Sequence, residues 1–534
     1  MKIFKINTIL LSATFGFLAL GCTNLDETVY SDIVAEETTF TANDLNAIIA
    51  PPYTKFRDIY WGWDGLFDLY EESSDVIVTP NRLGIGWGAY YIDMHKHTWA
   101  PGLSHTEALW DRAYTAINTT NKAIFQIEGL GEAEGADAYI AELKALRAMY
   151  YYLLYDNFRR VPIVTQFDVE AGFIPEQSTS QQVYDFIIKE LTDAIPLLTE
   201  ERNQSTYGRV TKWAAKMTLA KMYLNSEVYI GTPRWDDALS EVQDVIDSDK
   251  FSLTPNFSDV FAIENENLSE TIFAIPFDQV YAGGSYVAWK ALFGASKETF
   301  DLSGSPWGGS AAIPQFIDTY DVDDQRLEDT WLGGPQLTSS GEPLLIDKDN
   351  PSSQLDYVNY ISSVDGAEFN EGNRFVRYEI GRGDIMTNSN DVPFYRYTDA
   401  LMIKAECLLR TDDAPAAAII VSNIRARSFK DNPAKATVTS AQLMGGSVYQ
   451  YGPYENGVIT NLQGGGDIQY GGFLDNLGWE FVGEHHRKQD LIRFGVYTTK
   501  SWLSHVPNGV NRKVFPIPES QLLANPKLTQ NDYQ

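Results

Sequence analysis

Apolar residues recur at helical spacing through most of the first half of the chain. Trp110, Ala113, Tyr114, Ile117 and Ile124 share one face, and Ile140, Leu143, Leu146, Tyr150, Leu153 and Leu154 share another. This second helix must stop near Val161-Pro162, because the residue before a proline is pushed out of the helical region. Val183, Ile187, Leu191, Ile195 and Leu198 predict a third helix. Trp213, Met217, Ala220 and Leu224 predict a fourth, closed by Gly231. Trp235, Ala238, Leu239, Val242 and Val245 predict a fifth, opening just after Pro233. Helices of about 15 to 22 residues with short connections pack as antiparallel pairs, and their succession predicts tetratricopeptide-like stacking.

The pattern changes near Glu270. Thr271–Ile275 reads as a short buried strand, and from Tyr281 to about Pro393 the chain is rich in Gly, Ser, Asp and Asn. An irregular segment of this length inside a folded protein is usually functional. Helical character returns over 399–410 and 414–427, followed by a loop at Gly464-Gly465-Gly466 and a further helix from Asn476 to Phe494. The expected architecture is mainly α. One domain spans 41–534, with a helical scaffold over about 41–270 and 394–534 and a loop-rich insertion with a few short strands over about 271–393.

The N-terminus adds a destination. After Lys2 and Lys5 the run Ile6–Leu20 carries no charge. It is shorter than the roughly 20 apolar residues that span a bilayer and fits the apolar centre of an export signal. Gly21 precedes Cys22, as in a lipoprotein signal, although Ala19-Leu20 reverses the usual order of a lipobox. Residues 1–21 are therefore expected to be a lipoprotein signal peptide, Cys22 the lipidated residue and 22–40 a tether. With Cys22 lipidated, Cys407 has no cysteine partner, and its apolar neighbours predict a buried thiol.

Charge excludes one class of partner. Asp and Glu total 72 against 41 Lys and Arg, a net charge of −31. Such a field repels nucleic acid and other polyanions. Catalytic signatures are missing: there is no Gly-x-Ser-x-Gly elbow, His-Glu-x-x-His helix, phosphate-binding Gly-Lys-Ser/Thr loop or Cys-x-x-Cys pair. His95-Lys96-His97 reads as a strand with both imidazoles on one side, and it and His485 with His486 are weak metal candidates without a third ligand. Asp321, Asp323 and Asp324, and the stretch Asp347-Lys348-Asp349-Asn350, are weak Ca²⁺ candidates, so the single cofactor considered is a structural Ca²⁺.

Aromatic residues are 13% of the chain, including 12 Trp and 30 Tyr. Two groups combine them with polar residues and turns. One runs from Trp61-Gly62-Trp63-Asp64 through Asp75 to Arg82 and Gly86-Trp87-Gly88; the other comprises Tyr281, Trp289 and Ser305-Pro306-Trp307-Gly308-Gly309. Trp87 and Trp307, flanked by glycine, have little local cover and suit stacking on a sugar, with Asp and Arg bonding hydroxyls. Trp61, Trp63, Trp110, Trp213 and Trp235 are expected mainly in the core.

Several segments together resemble the SusD/RagB family, the surface glycan-binding lipoproteins of Bacteroidota. They are Glu142-Leu143-Lys144-Ala145-Leu146-Arg147-Ala148 with the exit Arg160-Val161-Pro162-Ile163-Val164; Gly208-Arg209-Val210-Thr211-Lys212-Trp213-Ala214-Ala215; Tyr395-Arg396-Tyr397 to Lys404-Ala405-Glu406; Phe515-Pro516-Ile517-Pro518; and Asn525-Pro526-Lys527-Leu528-Thr529-Gln530-Asn531. Lys488 departs from the family pattern, standing where an aromatic residue is usual. The resemblance implies a superhelix of about four tetratricopeptide-like helix pairs packed against an irregular half. It implies a non-catalytic protein that captures oligosaccharide at the outer membrane and delivers it to a SusC-like TonB-dependent transporter. It also implies ligand residues in the regions of Asp75, Arg82, Trp87 and Trp307. Net acidity and abundant Trp favour a neutral glucan such as laminarin. The alternatives are a secreted glycoside hydrolase and a peptide-capturing lipoprotein.

Overall fold

The computed structural model describes residues 41–60, 63–131, 133–385 and 387–534. The signal 1–21, the tether 22–40 with Cys22, and Trp61 lie outside the described residues.

Eight helices form four consecutive pairs: α1 (Ala42–Tyr60) with α2 (Ser104–Glu128), α3 (Ala136–Phe158) with α4 (Ser180–Ala194), α5 (Lys212–Leu224) with α6 (Trp235–Asp247), and α7 (Tyr397–Arg410) with α8 (Ala414–Arg425). Neighbouring pairs also touch, α2 on α3, α4 on α5 and α6 on α7, so the pairs stack as expected. Each outer helix buries one stripe; α6, for example, turns Ala238, Val242 and Val245 inward. By contrast, α3 is buried on all sides from Ala141 to Phe158, apart from Lys144, and α5 from Trp213 to Leu224, so these two helices form the centre of the stack. Helix α4 opens on a capping box in which Thr179 accepts from the Gln182 amide. Helix α1 is not legible in the apolar pattern, because Pro51 and Pro52 lie inside it and each removes a backbone donor.

The insertion begins and ends on one ladder, β1 (Thr271–Ile275) antiparallel to β2 (Val392–Arg396). Between them the ladders are two residues long: Ala311–Ala312 pairs with Ile77–Val78, and Trp331–Leu332 with Arg374–Phe375.

Two expectations are corrected. The helix read over 476–494 is two helices, α9 (Gly471–Phe481) and α10 (Arg487–Arg493). Gly483 at φ 84° and His485 at φ 55° break it. A Cβ on Gly483 would lie 2.2 Å from the Phe375 ring, so the backbone approaches as close as glycine allows. The break frees the Val482 and Glu480 carbonyls to accept from Arg377. It also carries Glu484 into a buried cluster with Arg377 and Arg396. Second, His95-Lys96-His97 is not a strand but the end of a helix, Ala89–Lys96, with His97 left-handed at φ 53°.

Buried charge ties together the scaffold segments that flank the insertion. Arg396 and Arg427 share Glu270 and Glu480. Burial would raise both carboxyls, but Arg427 and Arg396 outweigh it and hold each at about 2. Cys407 is buried, and burial pushes its thiol up, as expected for an inert residue. Among the described residues no helix is long and apolar enough to cross a membrane.

Candidate functional site

Three tryptophans from three chain segments meet at one hollow of about 440 Å³. Trp63 precedes a short helix, Leu66–Glu71; Trp87 precedes the helix Ala89–Lys96; Trp307 lies in the insertion. The ring centres of Trp63 and Trp87 are 5.4 Å apart, and those of Trp63 and Trp307 are 4.9 Å apart. The planes are tilted by 40° and 83° respectively, so the surface is curved rather than flat. Tyr90, Phe293, Pro306 and Ile85 complete the wall, and Tyr286 reaches Trp307 at 5.6 Å. No charged side chain lines this hollow among the described residues.

The glycines beside the tryptophans have steric reasons. A Cβ on Gly309 would lie 2.5 Å from Trp87 Cζ2, so Trp87 rests on bare backbone. Gly308 holds φ 67° and turns the chain after Trp307. The amides of Trp307, Gly308 and Gly309 then donate to Trp289 O, Leu292 O and Lys290 O at 2.7–2.8 Å.

A buried polar cluster underlies the platform. Lys290 Nζ donates to Asp68 Oδ1 at 2.5 Å and Glu72 Oε1 at 2.9 Å. Burial would lower its pKa, but the two carboxylates outweigh it and raise the ammonium above its ordinary value. The Tyr91 hydroxyl donates toward Trp63 O and Asp68 Oδ2, and the Tyr91 ring meets Trp87 edge-on at 5.6 Å.

The expected site residues divide. Trp87 and Trp307 come together at the hollow. Asp75 does not reach it: it is fully buried, bidentate to Arg487 at 2.6 and 2.8 Å, and accepts from the Tyr451 hydroxyl. Arg82 is also buried and donates to the carbonyls of Gly309, Glu368 and Glu371, so it braces the loop after Trp307 instead of presenting its guanidinium. Trp289 is 2% exposed, packed under Gly304. Tyr281 is 90% exposed in a turn closed between Asp278 and Ala282 and is not among the lining residues. Trp63, expected in the core, is 37% exposed and belongs to the platform. Tyr90 and Phe293 also line the hollow and carried no sequence signal beyond being aromatic.

The metal candidates resolve into other contacts. Asp321 and Asp323 converge on Lys435 Nζ at 2.6 and 2.7 Å, and Asp324 pairs with Arg326, so a cation already sits where Ca²⁺ was considered. The Asp347 carboxylate caps its own turn by accepting from the Asp349 amide. His97 packs on Trp99, Tyr497 and His505, and burial holds His95 and His97 down at about 3. His485 stacks on Phe394, and His486 pairs with Asp399 at 2.9 Å. Among the described residues no group of three or more His, Cys, Asp or Glu is arranged for a metal.

Paired helices wound in a stack, with an aromatic hollow built where the irregular insertion meets the segment between α1 and α2, define a helical-repeat protein with an exposed stacking surface. Two family models match the chain, "Starch-binding associating with outer membrane" over residues 64–224 and "SusD family" over residues 315–533. The chain belongs to the SusD/RagB family. It is 26% identical over 465 residues to the starch-binding protein SusD of Bacteroides thetaiotaomicron, covering 82% of this chain and 80% of that one. It is 22% identical over 551 residues to SusD-like protein P25 of Formosa agariphila, covering 97% of each. Among solved structures, surface glycan-binding protein A from Bacteroides thetaiotaomicron in complex with laminarihexaose shares the fold. Its TM-score is 0.70 at 19% identity, over 92% of this chain and all of that one.

Proposed function

We propose that the protein is a non-catalytic, cell-surface polysaccharide-binding lipoprotein of the outer membrane. It captures oligosaccharide on the Trp63–Trp87–Trp307 platform and delivers it to a SusC-like TonB-dependent transporter. The observation that carries this reading is the convergence of three indoles on one open hollow. Aromatic faces cover the C–H faces of sugar rings. Among the described residues the hollow has no paired carboxylates of the kind glycoside hydrolysis uses, which favours holding over cutting.

The ligand we propose is a neutral glucan whose sugar rings turn along the chain, with laminarin the leading candidate. The uncharged lining supports neutrality, and the 40° and 83° tilts suit a curved chain better than a flat ribbon. A relative of the same fold has been captured with laminarihexaose. Lipid on Cys22 would hold the protein at the membrane, and Cys22→Ala should release a folded, glycan-competent protein into soluble fractions.

Affinity electrophoresis tests the reading, with gels containing laminarin, starch or an unbranched β-1,4-glucan. Retardation by a neutral glucan, without release of reducing ends, is expected. A folded protein that no glycan retards would contradict it.

A further inference from the structure

A second hollow, of about 520 Å³, lies between the C-terminal end of α3, the first turn of α4 and segment 510–532. The tryptophan hollow is uncharged, but this one is lined by Arg159, Arg160 and Lys513 against a single carboxylate, Asp532. In a chain of net charge −31, three cations at one concavity run against the overall field.

The cations keep donors open. Arg159 has φ 61°, a costly conformation for a side-chain-bearing residue. Its Nη1 caps α3 through Tyr155 O and Asp156 O, both at 2.6 Å, and its guanidinium lies 4.4 Å from the Tyr229 ring centre. Asp156 Oδ1, which does not line the hollow, is 3.8 Å from Nη1. The Nε and Nη2 of Arg159 have no acceptor among the described residues, and neither is buried. Arg160 Nη2 donates to Gln530 O at 2.5 Å, a neutral acceptor that leaves its charge uncompensated. Lys513 has no hydrogen-bond or ion-pair partner among the described residues. Planar guanidinium donors and a free ammonium match the oxygens of a tetrahedral anion. Asp532 fits a hydroxyl beside that anion.

We propose that this hollow binds a tetrahedral oxyanion, a sulfate or phosphate group, as the free ion or as an ester on a small sugar. The site is independent of the tryptophan platform.

Calorimetric titration of the purified protein with sodium sulfate, sodium phosphate and glucose 6-phosphate, at constant ionic strength in chloride, tests this. Saturable binding is expected, weakened at least fivefold by Lys513→Gln, abolished by Lys513→Glu and kept by Lys513→Arg. Tighter binding of glucose 6-phosphate than of phosphate identifies an ester as the ligand; equal binding identifies the free ion. The proposal is overturned if none of the three anions gives a saturable signal, or if Lys513→Gln and Lys513→Glu bind as wild type does. Laminarin binding in the same variants reports separately on the tryptophan platform.

Discussion

Lys290 Nζ lies 4.1 Å from the centre of the Tyr91 ring, under the platform, with no solvent exposure. Around this one contact the three tryptophans are fixed. Tyr91 reaches Trp63 through its hydroxyl and Trp87 through its ring edge, while the Trp289-Lys290 backbone holds Trp307 and Gly309.

Lys290→Met should therefore destabilise the protein strongly. Removing the ammonium leaves Asp68 and Glu72 buried without their partner, a loss of about 3–5 kcal/mol for a broken buried pair. Urea denaturation measures it. Lys189→Met, which breaks an exposed pair with Asp193, is the control and should leave the denaturation midpoint nearly unchanged.

The tryptophans should separate by role. Trp63→Ala, Trp87→Ala and Trp307→Ala should each weaken glycan binding about tenfold, equivalent to about 1.4 kcal/mol. Trp289→Ala should instead show up mainly as lost stability, about 3–5 kcal/mol, because its side chain is core. Titration calorimetry and thermal denaturation of the four variants check both halves.

Lys488 gives a pH signature. It is fully buried, donates to Asn157 Oδ1 at 2.8 Å and lies 4.1 Å from the Phe515 ring centre. Burial holds its ammonium down at about 7. Unfolding restores an ordinary lysine, so between about pH 7 and 10 the unfolded chain binds the extra proton. The cost of burying the charge is fully present below pH 7 and is relieved as pH rises. Lys488→Met should stabilise the protein at pH 6, on the order of 2–4 kcal/mol, with an advantage that shrinks toward pH 9. Chemical denaturation of both proteins at several pH values gives the difference.

Glu71 should show the opposite slope. It is buried, and burial pushes its carboxyl up to about 8 despite the Gly483 and His485 amides. Its contribution falls as pH rises from about 4.5 to 8, where the folded state holds the proton and the unfolded chain has lost it. The stability of Glu71→Gln relative to wild type should accordingly grow over that window in denaturation curves.

Helices α2, α4 and α6 were legible because each carries an apolar stripe at period 3.6, and α3 and α5 because apolar residues recur at helical spacing in segments that are buried nearly all round. Helix α1 was hidden because Pro51-Pro52 reads as a break, although Leu45, Ile49, Phe56 and Ile59 are buried on both sides of it. Trp87 and Trp307 were legible from their glycine neighbours. Trp63 was not, since its place beside the apolar helix face of Leu66, Phe67, Leu69 and Tyr70 made it look like core. Asp75 and Arg82 looked like ligand groups because the residues that neutralise them are remote in sequence. Arg487 is 412 positions from Asp75, and the carbonyls that take up Arg82 are 227 to 289 positions from it. Local pattern shows which residues are charged; the fold decides which charges are already paired.

Titration calorimetry of the purified protein with a laminarin-derived oligosaccharide, beside a Trp87→Ala/Trp307→Ala double variant, tests the central claim most directly. The account predicts saturable binding to wild type and loss of about a hundredfold or more in a double variant that remains folded. Equal affinity in the two proteins would contradict it.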